Sequence, residues 1–249
     1  MSSYAKEIAG FFVANFPDAA SLAVGGPVAF LWAAACLMFA GVLKTRRKLK
    51  TGYTRKIFHF LIFGTVVVVH GVWGTPRVCL FGGMTSVVIA YALVRGSGHF
   101  MYEAMARETD APRRTYYIVV PYFATLIGGL LSNILFPHTA IFGYLVAGLG
   151  DAVAEPVGTR FGKHKYRVPA LSGFGAVRTV EGSCSVLIVS ALSLIVCVAV
   201  SHPLALSGSS LLAIMLISVI STLVEGISPH GWDNAMMQVV PALLGTVFL

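Results

Sequence analysis

Two carboxylates separated by one helical turn, Asp151 and Glu155, lie at the end of an apolar run, where such side chains are unexpected. Residues four apart share one face of a helix, so both carboxylates are able to approach the same ion. Hard cations such as Mg²⁺ take oxygen ligands, commonly one or two carboxylates together with the phosphates of a substrate. Charged groups where a membrane segment ends are functional candidates by default. The pair therefore predicts a site that binds a metal ion together with a phosphorylated substrate.

Small residues recur every four positions through the same segment, and they allow two interpretations. Gly150, Ala154, Gly158 and Gly162 form a smooth stripe that favours close helix packing. The same glycines would also let the backbone approach phosphate groups. Pro156 lacks an N–H donor, so we expect the helix to end or kink there and to free a carbonyl on the side of the carboxylates.

Basic and anion-binding features follow the carboxylates along the chain. Lys163 and Lys165 come first, and residues 171–175 then form a loop of glycines and serine whose amides are able to surround an anion. The next apolar run is preceded by a cation, a carboxylate and two small residues, Arg178, Glu181, Gly182 and Ser183. The N-terminus of a helix favours anions through its free N–H groups and its dipole. This segment is therefore a second candidate part of the site.

Polar residues border two further apolar runs. One of them opens with Arg55, Lys56 and His59, and the basic pair lies one helical turn from the imidazole. The other ends at a carboxylate and leads into two more polar residues, Glu225, Asp233 and Asn234. We interpret all of these groups as one shared site. The alternatives are a topology anchor for the basic pair and a structural ion-pair network for the whole set.

The elements that must position these groups are membrane helices. Hydrophobic residues make up 57% of the 249 positions, charged residues only 11%, and the mean hydropathy is +0.82. A soluble domain carries about 25% charged residues. Apolar runs long enough to cross about 30 Å of hydrocarbon lie at residues 19–43, 57–74, 77–95, 117–136, 139–157, 184–202 and 209–227. A shorter run at residues 235–249 is a candidate eighth span.

Basic residues set the expected orientation, since short loops rich in Lys and Arg stay on the cytoplasmic side. Apart from Lys6 and Arg77, every Lys and Arg lies in the segments after spans one, three and five. We therefore predict an all-α, polytopic transmembrane helical bundle of seven to eight spans in one domain, residues 1–249. Its N-terminus is expected outside and its charged motifs at the cytoplasmic face. The first span lacks a basic leader and is about 25 residues long, so we expect a retained anchor rather than a cleaved signal peptide.

The net charge of +8 has two explanations. Basic loops attract anionic lipid headgroups, which accounts for most of the cluster at residues 44–50. They also suit a polyanion that is held together with a divalent metal. No basic face is interleaved with aromatic residues, so nucleic acid is not an expected partner. The four cysteines lie in or beside apolar runs without metal-ligand spacing, and they predict neither disulfides nor a zinc site.

Four polar motifs occur in a fixed order along residues 50–240. They are R-K-x-x-H at 55–59, G-D-x-x-A-E-x-x-G-x-x-x-G-K at 150–163, R-T-x-E-G-S at 178–183 and E-x-x-S-P-x-G-x-D-N at 225–234. In order and spacing they resemble the dolichol kinase and phytol kinase family of polytopic membrane enzymes. Members of that family use a nucleoside triphosphate, often CTP, to phosphorylate a lipid alcohol. The first position of the third motif is commonly Lys in the family and is Arg178 here, which keeps the charge but changes its geometry.

The resemblance implies a lipid-alcohol kinase whose partners are the bilayer, a lipid alcohol, Mg²⁺ and a nucleoside triphosphate, CTP above all. Asp151 and Glu155 would then hold Mg²⁺, directly or through water. The phosphates would be held by Lys163, Lys165 and Arg178. Further phosphate or nucleotide contacts are expected from Arg55, Lys56, His59, Gly158, Gly162, Gly182, Ser183 and Asn234. The expected catalytic carboxylates are Asp151, Glu181, Glu225 and Asp233. One of the last three would orient or deprotonate the lipid hydroxyl.

Two other activities stay open. An enzyme like CTP-dependent phosphatidate cytidylyltransferase would attack the α-phosphorus and release pyrophosphate, but the chain lacks the long basic and G-H-G-G motif of that class. An ion-coupled carrier also uses intramembrane carboxylates, but carriers place their site near the bilayer midplane between inverted repeats. A groove for an apolar chain leaves no short motif, so phytol, farnesol, dolichol-like alcohols and diacylglycerol all stay open as acceptors. CTP, ATP and UTP stay open as donors for the same reason.

Overall fold

The computed structural model describes residues 3–169, 176–201, 206–229 and 231–249. Within these ranges the chain is almost entirely helical, and its one strand pairing is a short antiparallel hairpin. Seven helices in the same ranges are long and apolar enough to cross a membrane. The predicted all-α fold with seven spans is therefore confirmed, and it fits an integral, multi-pass membrane protein.

The elements divide between two compact units, residues Met1–Ile118 and Val119–Leu249. The first contains α1 (Ser3–Asn15), α2 (Ala19–Arg46), α3 (Thr51–Trp73), α4 (Thr75–Arg95), α5 (Phe100–Glu103) and a 3₁₀ turn, Glu108–Asp110. Helix α6 (Tyr116–Leu135) begins at the boundary. The second unit continues with α7 (Ala140–Leu145), a π-helical turn (Val146–Gly150), α8 (Asp151–Phe161), β1 (Lys165–Val168), β2 (Ala176–Thr179), α9 (Val180–Ser201), α10 (Gly208–Ile227) and α11 (Asp233–Phe248).

A loop after α4 is tied down by ion pairs within the first unit. Arg114 donates to Glu103 at 2.5 Å, and Lys44 of α2 pairs with Glu108. Burial acts to raise the pKa of Glu103, but hydrogen bonds from Arg114 and from the Gly98 N–H outweigh it and lower that pKa below its ordinary value. Lys44 and Arg114, which are expected to set the orientation, therefore also hold this loop in place.

The fifth span, Ala140–Phe161, carries the paired carboxylates and departs from regular α geometry. The N–H of Asp151 donates to the Val146 carbonyl five residues earlier, which defines the π turn. We predicted that the helix would end or kink at Pro156, but it does not end there, because α8 continues for five residues beyond it. Membrane helices tolerate proline where neighbouring groups compensate the lost hydrogen bond. The two carboxylates consequently lie inside the span rather than at its end.

Small residues bring α8 close to β2 and α9. A Cβ added at Gly182 would lie 2.8 Å from the Ala154 carbonyl oxygen, and one added at Gly158 would lie 2.6 Å from Thr179 Oγ1. A Cβ added at Gly150 would likewise collide with α9. Of the two interpretations of the glycine stripe, the structure shows close packing. Contact with phosphate stays a prediction.

Helix α11, the candidate eighth span, packs on α6 and α7 through glycine contacts of the same kind. A Cβ at Gly128 would lie 2.7 Å from Ala235 Cα, and one at Gly143 would enter the backbone of Gln238. The helix has 16 residues. At 1.5 Å per residue it is about 24 Å long, which is less than the hydrocarbon thickness of about 30 Å. It is thus shorter than each of the seven spans.

The packing of α9 on α8 predicts that Gly182→Ala destabilises the protein by about 1–3 kcal/mol, because the new methyl group would press on a backbone carbonyl that cannot rotate away. The matched control is Gly64→Ala in α3, where a Cβ meets nothing within 4 Å. There the change should be neutral or stabilising by up to about 1 kcal/mol. Thermal unfolding midpoints in detergent measure both. Equal midpoints for the two variants would contradict the close approach of these helices.

Candidate functional site

An ion-paired cluster joins three elements of the second unit. Arg178 of β2 places Nη2 2.6 Å from Asp233 Oδ2 at the start of α11, and Nη1 2.9 Å from Glu225 Oε1 near the end of α10. The three side chains are only 12%, 14% and 4% exposed, in the order Arg178, Asp233 and Glu225. Three predicted site residues, spread over 55 positions of sequence, are thus brought into direct contact.

Arg178 was expected to hold phosphate, but in the structure its charge is already paired with carboxylates. One guanidinium faces two carboxylates, so the trio carries a net negative charge when all three groups are ionised. The Nη2 contact is an aligned hydrogen bond, whereas Nη1 has no aligned acceptor among the described residues and meets Glu225 as a charge contact. A phosphate at Arg178 would therefore have to share the guanidinium with these carboxylates.

A chain of hydroxyl groups extends from the cluster. Ser183 Oγ donates to Glu225 Oε2 at 3.3 Å, and Tyr166 OH lies 2.7 Å from Ser183 Oγ. Burial raises the pKa of Tyr166, partly offset by its hydrogen bond to Ser183, so the phenol stays protonated at neutral pH. Tyr166 faces Arg178 directly across the hairpin. The sequence did not identify this tyrosine as part of the site.

The hairpin separates two of the predicted phosphate ligands. Lys165 pairs with Thr179, one position along from the pairing of Tyr166 with Arg178. Side chains alternate between the two faces of a strand, so Lys165 lies on the face opposite to Arg178. The structure thus does not bring Lys165 and Arg178 together. Lys163 is exposed between α8 and β1.

A second polar pair, His164 with Glu181, forms where the hairpin meets α9. His164 Nδ1 lies 2.8 Å from Glu181 Oε1, and the His164 backbone N–H donates to both carboxylate oxygens at 3.3 Å. The sequence assigned Glu181 a catalytic role but gave none to the histidine. No spacing rule points to it, because the partners lie 17 residues apart and meet only through the hairpin.

The paired carboxylates lie on α8, which packs on α9 and β2. Asp151 is buried at 4% exposure, and Glu155 is half-buried one turn later. In the described part of the chain, no group of three or more His, Cys, Asp and Glu side chains is placed to hold a metal ion. The two carboxylates alone fit the donor set of Mg²⁺, which completes its shell with water and substrate phosphates.

Other predicted residues have structural contacts of their own. The side-chain amide of Asn234 donates to Pro121 O at 3.2 Å and to Thr125 Oγ1 at 2.9 Å, which fastens α11 to α6. Gly162 lies against Thr179, as Gly158 does. Packing and hydrogen bonding within the protein are therefore sufficient to explain why an asparagine and glycines occupy these positions. Their nucleotide-binding roles stay predictions, and the predicted anion loop at residues 171–175 lies outside the described residues.

The basic motif at the start of α3 belongs to the first unit. Lys56 is buried, and the ring of His59 packs 4.5 Å from that of Phe63. Arg55 is half-buried beside them. Whether these groups bind phosphate stays a prediction.

Comparison with known proteins finds one partial similarity of interest. The chain is 31% identical over 119 residues to a phytol kinase from Synechocystis sp.. The aligned region covers 48% of this chain and 48% of that protein, so the match spans about half the length of each. No family model matches the chain, and no solved structure matches it. The similarity supports the resemblance to phytol and polyprenol kinases that the motifs indicate.

The ion-paired cluster predicts a large effect of Arg178→Ala, because this change leaves two carboxylates that are only 4% and 14% exposed without their shared cation. Breaking such a buried ion pair costs about 3–5 kcal/mol. Arg167→Ala is the matched control, since Arg167 is exposed in the neighbouring strand. Thermal unfolding in detergent should show a much lower midpoint for the first variant only. The further changes Glu225→Gln and Asp233→Asn should restore part of the loss. Equal midpoints for the two arginine variants would show that the cluster does not stabilise the fold.

Proposed function

We propose that this chain is a membrane-embedded lipid-alcohol kinase. It transfers the γ-phosphate of a nucleoside triphosphate, with CTP the first candidate, to the hydroxyl of an isoprenoid alcohol or diacylglycerol at the cytoplasmic face. The partial similarity to a phytol kinase carries this proposal. The polar residues that the second unit gathers at the ends of its apolar helices support it, because they supply the groups that phosphoryl transfer needs.

Phosphoryl transfer demands little covalent chemistry from the protein and depends on positioning and on charge neutralisation. In this proposal Asp151 and Glu155 hold the metal, and both lie on one face of α8. Bound Mg²⁺ would neutralise and orient the phosphate oxygens. The exposed Lys163, just beyond the end of α8, supplies a cation for the same phosphates.

Arg178 has two tasks in this proposal. Its contacts with Glu225 and Asp233 fix the start of α9 against the end of α10 and the start of α11, which sets the shape of the site. A γ-phosphate that approaches the guanidinium would share it with these carboxylates. Their negative charge disfavours a phosphate that arrives without its metal, so the arrangement favours the metal-bound nucleotide over the free polyanion.

Transfer of radiolabel tests the reaction. Purified protein in detergent with Mg²⁺ is incubated with γ-labelled CTP, ATP or UTP and with a panel of phytol, farnesol, a longer polyprenol and diacylglycerol. Label is expected in the lipid fraction for at least one alcohol of this panel. Parallel reactions with α-labelled CTP distinguish a cytidylyltransferase, which would put that label into lipid. Folded protein that labels no lipid with any γ-labelled donor would refute the kinase.

Loss of the buried carboxylate on α8 should abolish transfer. Asp151→Asn is nearly isosteric but removes the charge that would bind Mg²⁺, so we expect a fall in kcat of at least about 100-fold. The control is Asp18→Asn in the first unit, where the side chain caps α2 by accepting from the Ser21 N–H and asparagine caps equally well. Both variants should remain monodisperse. Wild-type activity in Asp151→Asn would remove this residue from the mechanism.

A further inference from the structure

The structure narrows the choice of base for the lipid hydroxyl. Of the three candidate carboxylates, Glu225 meets Arg178 through Oε1 and accepts from Ser183 through Oε2. Asp233 accepts from Arg178 through Oδ2 and from the Asn234 N–H through Oδ1. All four oxygens thus already have partners. A proton that moved to either carboxylate would have to compete with a donor or with the guanidinium.

The third candidate, Glu181, is tied to an imidazole. Its Oε1 lies 2.8 Å from His164 Nδ1. A carboxylate only accepts hydrogen bonds, so Nδ1 must carry the hydrogen, and in the neutral ring Nε2 is left with its lone pair. The His164 side chain is 77% exposed, so the surroundings leave Nε2 accessible. A base whose far nitrogen is held by a carboxylate is the arrangement that proton-abstracting histidines use.

Backbone contacts hold this histidine in place despite its exposure. Its N–H donates to Glu181, and its carbonyl accepts from the Val180 N–H at 2.9 Å. Together with the Nδ1 contact, His164 is therefore fixed to two consecutive residues at the start of α9. His164 also follows α8, the helix of the paired carboxylates, after only two intervening residues.

We infer that His164 is the catalytic base of the proposed transfer and that Glu181 is its positioning residue, an assignment that rests on the proposed function. The O–H bond of the lipid alcohol breaks and its proton moves to His164 Nε2. The oxygen electron pair forms a bond to the γ-phosphorus of the nucleoside triphosphate. The bond from that phosphorus to the β–γ bridging oxygen breaks, and its electron pair leaves with the nucleoside diphosphate. The proton on His164 then passes to solvent.

Removal and replacement of the imidazole test this role. His164→Ala should lower kcat by about 100-fold or more, the typical contribution of a general base, with little change in KM or in the unfolding midpoint. Because the position is exposed, added imidazole should restore part of the lost rate. His164→Asn keeps a donor for Glu181 but has no basic nitrogen, so it should be equally slow. His138→Ala, an exposed histidine between α6 and α7, is the control and should keep wild-type activity.

The positioning role of Glu181 has its own readout. Glu181→Gln should lower kcat in the wild type but cost nothing further in the His164→Ala background, since the two residues act as one unit. Wild-type protein that transfers no label would overturn the proposed function and this role with it. Transfer close to the wild-type rate in His164→Ala would overturn the role alone. Loss of activity that imidazole does not restore would also overturn it, because the histidine would then act through structure.

Discussion

The contact of Arg178 with Glu225 and Asp233 is the interaction on which the rest of the site depends. It crosses from the hairpin to the ends of two helices, and it does so where both water and lipid are largely excluded. Two carboxylates and one cation at that depth are stable only together, because each charge alone would face a low dielectric without a partner. The end of α10, the start of α11 and the start of α9 therefore have little freedom to separate. The Ser183 and Tyr166 hydroxyls extend this fixed arrangement.

Close backbone approach is the second constraint, and it explains why the hairpin can reach the cluster at all. Gly182 lets α9 lie directly against the Ala154 carbonyl of α8, and Gly158 leaves room on α8 for the Thr179 side chain of β2. Without the hydrophobic effect between helices in lipid, such packing is a main source of association. Alternate residues along each strand of the hairpin face opposite sides. Tyr166 and Arg178 thereby face the buried cluster, while Lys165 does not.

The spans were predictable from sequence because a backbone in hydrocarbon must satisfy its own hydrogen bonds, so an apolar run of about 20 residues has almost no alternative to a helix. The same reasoning gathered Arg178, Glu225 and Asp233 into one expected site, since each borders an apolar run. It could not pair them, because pairing depends on a hairpin of two four-residue strands that carry no strong pattern. His164 stayed hidden for that reason, since its partner is distant in sequence. Pro156 does not end its helix, since α8 continues to Phe161 and membrane helices tolerate an internal proline.

The π turn at Val146–Gly150 rotates the second half of the fifth span relative to its first half. Each residue of an α-helix advances by about 100° around the axis, so one extra residue in a single turn shifts the phase of everything that follows by about that angle. Before the turn, Gly143 lies against Gln238 of α11; after it, Gly158 lies against Thr179 beside α9. A continuous α-helix of the same residues would lack this rotation, so the second segment would face a different direction. The π turn thus changes the side of the helix on which Asp151 and Glu155 lie, while α7 keeps its own packing against α11.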